Sequence, residues 1–89
     1  LKIKTIHFRM TEQQIQSKKI KKLEAQGYYV IKLIKTNKNG IPDLIAIPRD
    51  SNVLFIEVKA GKNTTSKLQD FRIKELNEHG ITTEIFRQD

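Results

Sequence analysis

A chain of 89 residues with 37% hydrophobic content is one domain with a small core, a size at which self-association often adds stability. Seventeen Lys and Arg against ten Asp and Glu leave a net charge of +7, which favours an anionic partner; nucleic acid ranks above a membrane surface, because no helix joins its lysines to a strongly apolar opposite face. The absence of cysteine excludes disulfides and thiolate zinc sites and fits a reducing, intracellular setting, and no apolar run is long enough for a membrane span or signal segment.

Residues 1–10 form a lead-in, in which Leu, Ile and Lys alternate over 1–8 as in a short strand. Thr11 followed by Gln14 is a capping-box pattern that opens a helix running to about Gln26, with Gly27 just past its end. Ile15, Ile20 and Leu23 make its apolar stripe at 100° per residue, and Glu12 falls inside that stripe. An acid in the first turn suits the helix dipole; one facing a sheet is also placed to meet a metal. Lys18, Lys19, Lys21 and Lys22 cover about half the circumference. A solvated face accounts for four lysines, but with Lys32, Lys35 and Lys38 following, a phosphate-contacting surface explains the total better. Lys19 lies at the edge of the stripe, placed to snorkel across it or to reach the site.

Residues 28–35 read as the first core strand, its two tyrosines packing at core and edge rather than stacking on bases. A loop over 36–40 follows. Gly40 there permits positive φ or a close approach to DNA, and Pro42 stiffens the entry to the next strand. Gly40-Ile41-Pro42-Asp43-Leu44-Ile45-Ala46-Ile47 and Phe55-Ile56-Glu57-Val58-Lys59 flank the turn formers Pro48-Arg49-Asp50-Ser51-Asn52, the pattern of a β-hairpin. Glu57 and Lys59 share one face of their strand and Val58 takes the other. If the turn pairs Pro48 with Asn52, Asp43 lies opposite Glu57; a slip of one residue separates them.

Two carboxylates about 4 Å apart repel by roughly 1 kcal/mol in water and about four times that near a protein surface. A cation between them removes that cost, and carboxylate oxygens are the ligands that Mg²⁺ takes, together with water and substrate phosphate. A lysine on the same face can orient a water or offset charge on a phosphoryl group. The constellation points to metal-assisted phosphodiester hydrolysis.

After the polar loop 60–65, Ser66 and Gln69 form a second capping box, opening a helix that ends near His79 with Gly80 beyond. Leu68, Phe71, Ile73 and Leu76 occupy one broad side of this helix, and Gln69 projects among them. Gln69 serves either as the capping partner of its own helix start or as a polar contact to the scissile strand or to a metal-bound water. Residues 81–87 close as a strand. His79 suits a helix C-terminus, and with His7 it makes no zinc site. The order α-β-β-β-α-β predicts an α/β fold, a mixed β-sheet flanked by helices. The crossover from Glu57 to Ile81 places the last strand parallel to the Glu57 strand.

Pro42-Asp43 with Glu57-Val58-Lys59 resembles the signature of the PD-(D/E)XK nuclease superfamily. With Gly40-x-Pro42-Asp43, Ser66-x-x-Gln69, Leu76 and Gly80, the pattern resembles the VRR-NUC (virus-type replication-repair nuclease) family, from about Thr11 to the C-terminus. The resemblance implies a stand-alone minimal member, residues 1–89 being one nuclease domain with a restriction-endonuclease-like core. It implies an Mg²⁺- or Mn²⁺-dependent endodeoxyribonuclease that leaves 5′-phosphate and 3′-hydroxyl ends. Asp43, Glu57, the Val58 carbonyl and Glu12 are the expected metal ligands, and Lys59 and Gln69 complete the expected catalytic set. Lys18, Lys19, Lys22, Lys38, Lys62, Ser66 and Lys67 are the expected DNA contacts. Such members resemble structure-specific nucleases of branched DNA such as Holliday junctions, and a two-fold homodimer would suit the two-fold junction. A phage or mobile-element origin would fit a domain with nothing appended, with DNA repair or recombination as the expected setting. A nuclease of flaps, duplex or single strands is the alternative, and a non-catalytic basic DNA-binding module is another.

Overall fold

The computed structural model describes residues 9–50 and 52–88; the lead-in strand expected over residues 1–8 lies outside them. The elements follow the predicted order: α1 (Glu12–Ala25), β1 (Tyr29–Lys32), β2 (Leu44–Ile47), β3 (Leu54–Ala60), α2 (Lys67–Glu78) and β4 (Thr82–Gln88).

Local chemistry sets the limits of both helices. Thr11 Oγ1 accepts from the Gln14 backbone N–H at 3.1 Å, and Gln14 Oε1 accepts from the Thr11 N–H at 2.9 Å, the reciprocal box expected at the start of α1. At its end Gly27 takes φ 94°, and the Gly27 and Tyr28 N–H groups return to the Glu24 and Leu23 carbonyls at 3.0 Å. That is a Schellman stop, which favours glycine because the left-handed backbone crowds a Cβ. Ser66 with Gln69 and Gly80 with Ile81 repeat both devices on α2.

The four strands lie in the order β1-β2-β3-β4, antiparallel except for the parallel β3–β4 pair. In the hairpin Leu44 pairs with Ile56, Ile45 with Phe55 and Ala46 with Leu54. Leu44, Ala46, Ile56 and Val58 therefore share one face, and Ile15 and Leu23 of α1 seal it into a core from which all six side chains exclude water. Each such side chain contributes about 1.5–3 kcal/mol on burial, less for Ala46.

Two elements differ from expectation. The strand expected over residues 28–35 ends at Lys32; the ladder runs one bond further, Leu33 N–H to Asp43 O at 2.8 Å, and then its partner fails. Pro42 has no N–H to give, and Gly40 at φ 82° turns that chain away. The broad apolar side of α2 is only half used: Ile73 and Leu76 are half-buried, whereas Leu68 and Phe71 remain 42% and 52% exposed. Tyr28 packs on the core as expected and Tyr29 stands in solvent.

Ile56→Ala removes a wholly buried side chain from the centre of this core and is expected to lower unfolding stability by roughly 2–5 kcal/mol, read as a shift of the urea midpoint. An exposed control, Thr82→Ala, should leave the midpoint within about 0.5 kcal/mol of wild type.

Candidate active site

The strand that supplies the core also carries the polar site. Ile56 and Val58 face α1, so Glu57 and Lys59 must face the other way, and they are buried there at 2% and 8% exposure. Continuing the hairpin register one residue beyond β2 sets Asp43 opposite Glu57, the pairing that the turn residues predict. Asp43 is fixed there by its Oδ2, which accepts from the Val58 N–H at 2.9 Å.

Glu57 is the centre of the arrangement. Its Oε2 accepts from Gln69 Nε2 at 3.0 Å and lies 3.4 Å from Lys59 Nζ. Its Oε1 is buried without a hydrogen-bond partner. Burial first, then the charge of Asp43, push the Glu57 carboxyl up from 4.5 to about 7, and Lys59 pulls it back only in part. A buried carboxylate with a spare oxygen beside a second carboxylate is short of positive charge. Hard divalent cations meet that need, and Asp43 and Glu57 form a donor set that fits one.

Gln69 is the capping partner of its own helix, and its other amide atom bonds a carboxylate of the site. Its Oε1 accepts from the Ser66 N–H at 2.9 Å, closing the capping box, while its Nε2 reaches Glu57. Glu12 faces the sheet at the same end: its Oε2 accepts from the Ala60 N–H at 3.3 Å, one residue past Lys59. It does not join the other two carboxylates, since among the described residues no three His, Cys, Asp or Glu side chains converge on one point.

The expected DNA-contacting residues are spread over the surface. Lys18 and Lys22 are exposed on α1, and Lys38, Lys62 and Lys67 are exposed on the loops and at the start of α2. Lys18 also lines an open depression of about 480 Å³ on the outer side of α1, which no residue of the carboxylate site enters. Lys19 is engaged elsewhere: it snorkels over the Phe86 ring at 4.1 Å and lies 3.9 Å from Glu84. Ser66 is the α2 cap, its Oγ accepting from the Gln69 N–H at 3.1 Å.

Three contacts near the site have no counterpart in the sequence reading. Arg72 Nε donates to the Asn39 carbonyl at 2.9 Å, while its Nη1 pairs with Glu75 at 2.7 Å. The Arg72–Glu75 pair is a local i, i+3 contact along the helix. Gly40 approaches α2, where a Cβ would come within 2.8 Å of Leu68 Cγ; the close approach is to protein. Arg87, which pairs with Lys59 across β3 and β4, donates to the Asn63 carbonyl. Nothing in a single sequence marks contacts between residues so far apart.

The VRR-NUC domain family matches residues 5–88 of the chain. The chain belongs to the VRR-NUC family. A solved structure described as a VRR_NUC domain is 28% identical with a TM-score of 0.73, covering 83% of this chain and 81% of that one. No curated protein matches. VRR-NUC is a nuclease family, and the mixed four-stranded sheet with its two helices is compatible with the restriction-endonuclease-like core expected from the motif.

The Glu57 shift makes a signed prediction for the metal-free VRR-NUC chain. Folding raises this pKa, so the native state holds the proton longer than the unfolded chain does. Stability therefore falls as pH rises from 4.5 to about 7 and is level above. Glu57→Gln should be more stable than wild type by roughly 1–3 kcal/mol at pH 8 in EDTA, the gap closing near pH 4.5. Urea melts at several pH values check this; a gap that stays constant with pH would place the proton on another group.

Proposed function

We propose that the chain is a divalent-cation-dependent DNA endonuclease whose preferred substrate is branched DNA such as the Holliday junction. The observation that carries the chemistry is the buried Glu57 with half-buried Asp43 beside it, the unpartnered Glu57 Oε1 and the adjacent Lys59 ammonium. A binding module has no use for a pair that destabilises the metal-free fold.

Asp43 and Glu57 are the residues that would hold Mg²⁺ or Mn²⁺, with the carbonyl of Val58, next to Glu57 on β3, a further oxygen. When bound, such an ion acidifies water and polarises the phosphoryl group. As the ammonium that pairs with Glu57, Lys59 holds the attacking water in line and its charge offsets that gathering on phosphate; only in its neutral form would it take the water's proton. The water oxygen bonds to phosphorus as its proton passes to solvent or to a neutral Lys59, the bond to the 3′ oxygen breaks, that oxygen takes a proton from solvent, and the products are a 5′-phosphate and a 3′-hydroxyl. Gln69 steers Glu57 through the 3.0 Å bond to its Oε2. Glu12, bonded to Ala60 beside Lys59, supports the same end of β3. Lys18, Lys22, Lys38, Lys62 and Lys67 supply phosphate contacts.

The preference for branched DNA follows from a two-fold dimer, which would bring one site to each of two strands of a junction. The exposed apolar side chains of Tyr29, Ile31, Leu68 and Phe71 support self-association. We place the protein inside the cell, in DNA repair or recombination; no described helix is long and apolar enough to cross a membrane.

Cleavage of a labelled four-way junction and a matched linear duplex, with Mg²⁺, Mn²⁺ or EDTA, tests this reading. Wild type should nick the junction symmetrically only with metal. Asp43→Ala, Glu57→Ala and Lys59→Ala should each lose about a hundredfold or more in rate while still binding DNA. Cutting in EDTA, or variants as active as wild type, would overturn the chemistry. Equal cutting of the duplex would overturn only the preference for branches.

A further inference from the structure

Between the early end of β1 and the start of β2 the chain encloses a recess of about 280 Å³. Asp43 stands in its wall beside Ile34, Lys35, Lys38 and Asn39. Its charged lining is two lysines, Lys35 and Lys38, and one acid, the candidate catalytic carboxylate Asp43.

The loop that shapes it is braced. Lys38 N–H donates to Thr36 Oγ1 at 3.1 Å and Thr36 Oγ1 donates to the Lys38 carbonyl at 2.6 Å, which closes a tight turn. Arg72 holds the Asn39 carbonyl, and Gly40 sits against Leu68. On this rim Ile34 is 87% exposed, the most exposed large apolar side chain among the described residues. A single exposed isoleucine is ordinary on a protein surface. One set among lysines on the wall that also holds Asp43 matches a ligand with anionic groups and apolar faces in alternation. A nucleic-acid strand has that chemistry.

We propose that this recess is the subsite for the nucleotide next to the cut bond, with Lys35 and Lys38 on its phosphates and Ile34 wedged against its base. The assignment rests on the nuclease reading above and deepens it. Prying a base from its neighbours costs a few kcal/mol in intact duplex and much less at a branch, flap or mismatch. A wedge beside the scissile phosphate therefore selects DNA whose stacking is already broken. Apolar wedges and basic contacts act separately: the lysines set affinity and its salt dependence, and the isoleucine sets the local distortion.

The experiment uses a four-way junction carrying 2-aminopurine at the branch point, whose emission rises on unstacking. It is titrated in EDTA to prevent cutting, and cleavage is then measured with Mg²⁺. Wild type should raise the emission. Ile34→Ser should bind within about threefold of wild type, give no rise, and cut about tenfold more slowly (roughly 1.4 kcal/mol of barrier); Ile34→Leu should restore both. Lys35→Gln with Lys38→Gln should reduce the slope of log affinity against log salt by nearly two. Matching circular dichroism melts establish that these surface variants fold.

Emission and cleavage of Ile34→Ser equal to wild type, or an unchanged salt slope in the double lysine variant, overturn the subsite. So does sedimentation showing that Ile34→Ser turns a dimer into monomers, which would assign Ile34 to self-association. Wild type that raises emission but cuts nothing would sink the nuclease reading and leave the recess as a nucleotide-binding wedge with no cut bond beside it. Wild type that cuts, with Ile34→Ser indistinguishable from it, would sink the subsite alone.

Discussion

The structure depends on one unfavourable placement: a carboxylate buried to 2% exposure with a second carboxylate beside it. Desolvation and like charge both disfavour ionised Glu57, and a small domain has little stability to spare. The placement survives because every neighbour is fixed. Val58 N–H holds Asp43, Gln69 and Lys59 hold one oxygen of Glu57, and the core residues Ile56 and Val58 leave the strand no freedom to slide. A one-residue slip of β3 would carry Glu57 into the apolar layer under α1, so the hydrophobic pattern enforces the position of the charged one.

α2 has a purpose beyond covering the sheet, because no residue in it is fully buried. Besides resting on β4, it makes its polar and close contacts at the site. Gln69 reaches Glu57, Leu68 abuts Gly40, and Arg72 takes the carbonyl of Asn39. One rigid element thus touches the strand bearing Glu57 and the loop leading to Asp43. It also couples local to tertiary structure, since the Gln69 amide that caps the helix with its oxygen meets Glu57 with its nitrogen. The cap fixes which end of the amide faces the carboxylate.

Signals carried by neighbouring residues were legible in the sequence. Both capping boxes and both glycine stops bound the helices as expected, and the turn formers between the hairpin strands set a register that brings Asp43 opposite Glu57. The alternation that puts Glu57 and Lys59 on one face needed only the period of a strand. What was hidden rests on residues distant in the chain. Residues 33–35 have strand-like composition, but their partner is interrupted by Pro42 and Gly40. Leu68 and Phe71 obey a helical period but stay 42% and 52% exposed, Leu68 touching the Gly40 loop and Phe71 lying under the Arg72 guanidinium. Lys19 is one of several lysines until Phe86 and Glu84 come beneath it from the other end of the chain. Arg72 and Asn39 are 33 residues apart.

The two faces of the sheet divide the demands of stability and access. The α1 face holds the six buried core side chains and closes on itself. The opposite face carries the carboxylates and is covered only in part, leaving Tyr29, Ile31 and Ile85 in solvent. A second helix packed squarely across it would bury those residues, but it would also shut the carboxylates away from any ligand larger than an ion. An uncovered apolar margin is the consequence of keeping a buried charge reachable. The recess beside Asp43 has the same origin as the early stop of β1: Pro42 and Gly40 end the pairing after the Leu33–Asp43 bond, and a braced loop takes the place of a longer strand.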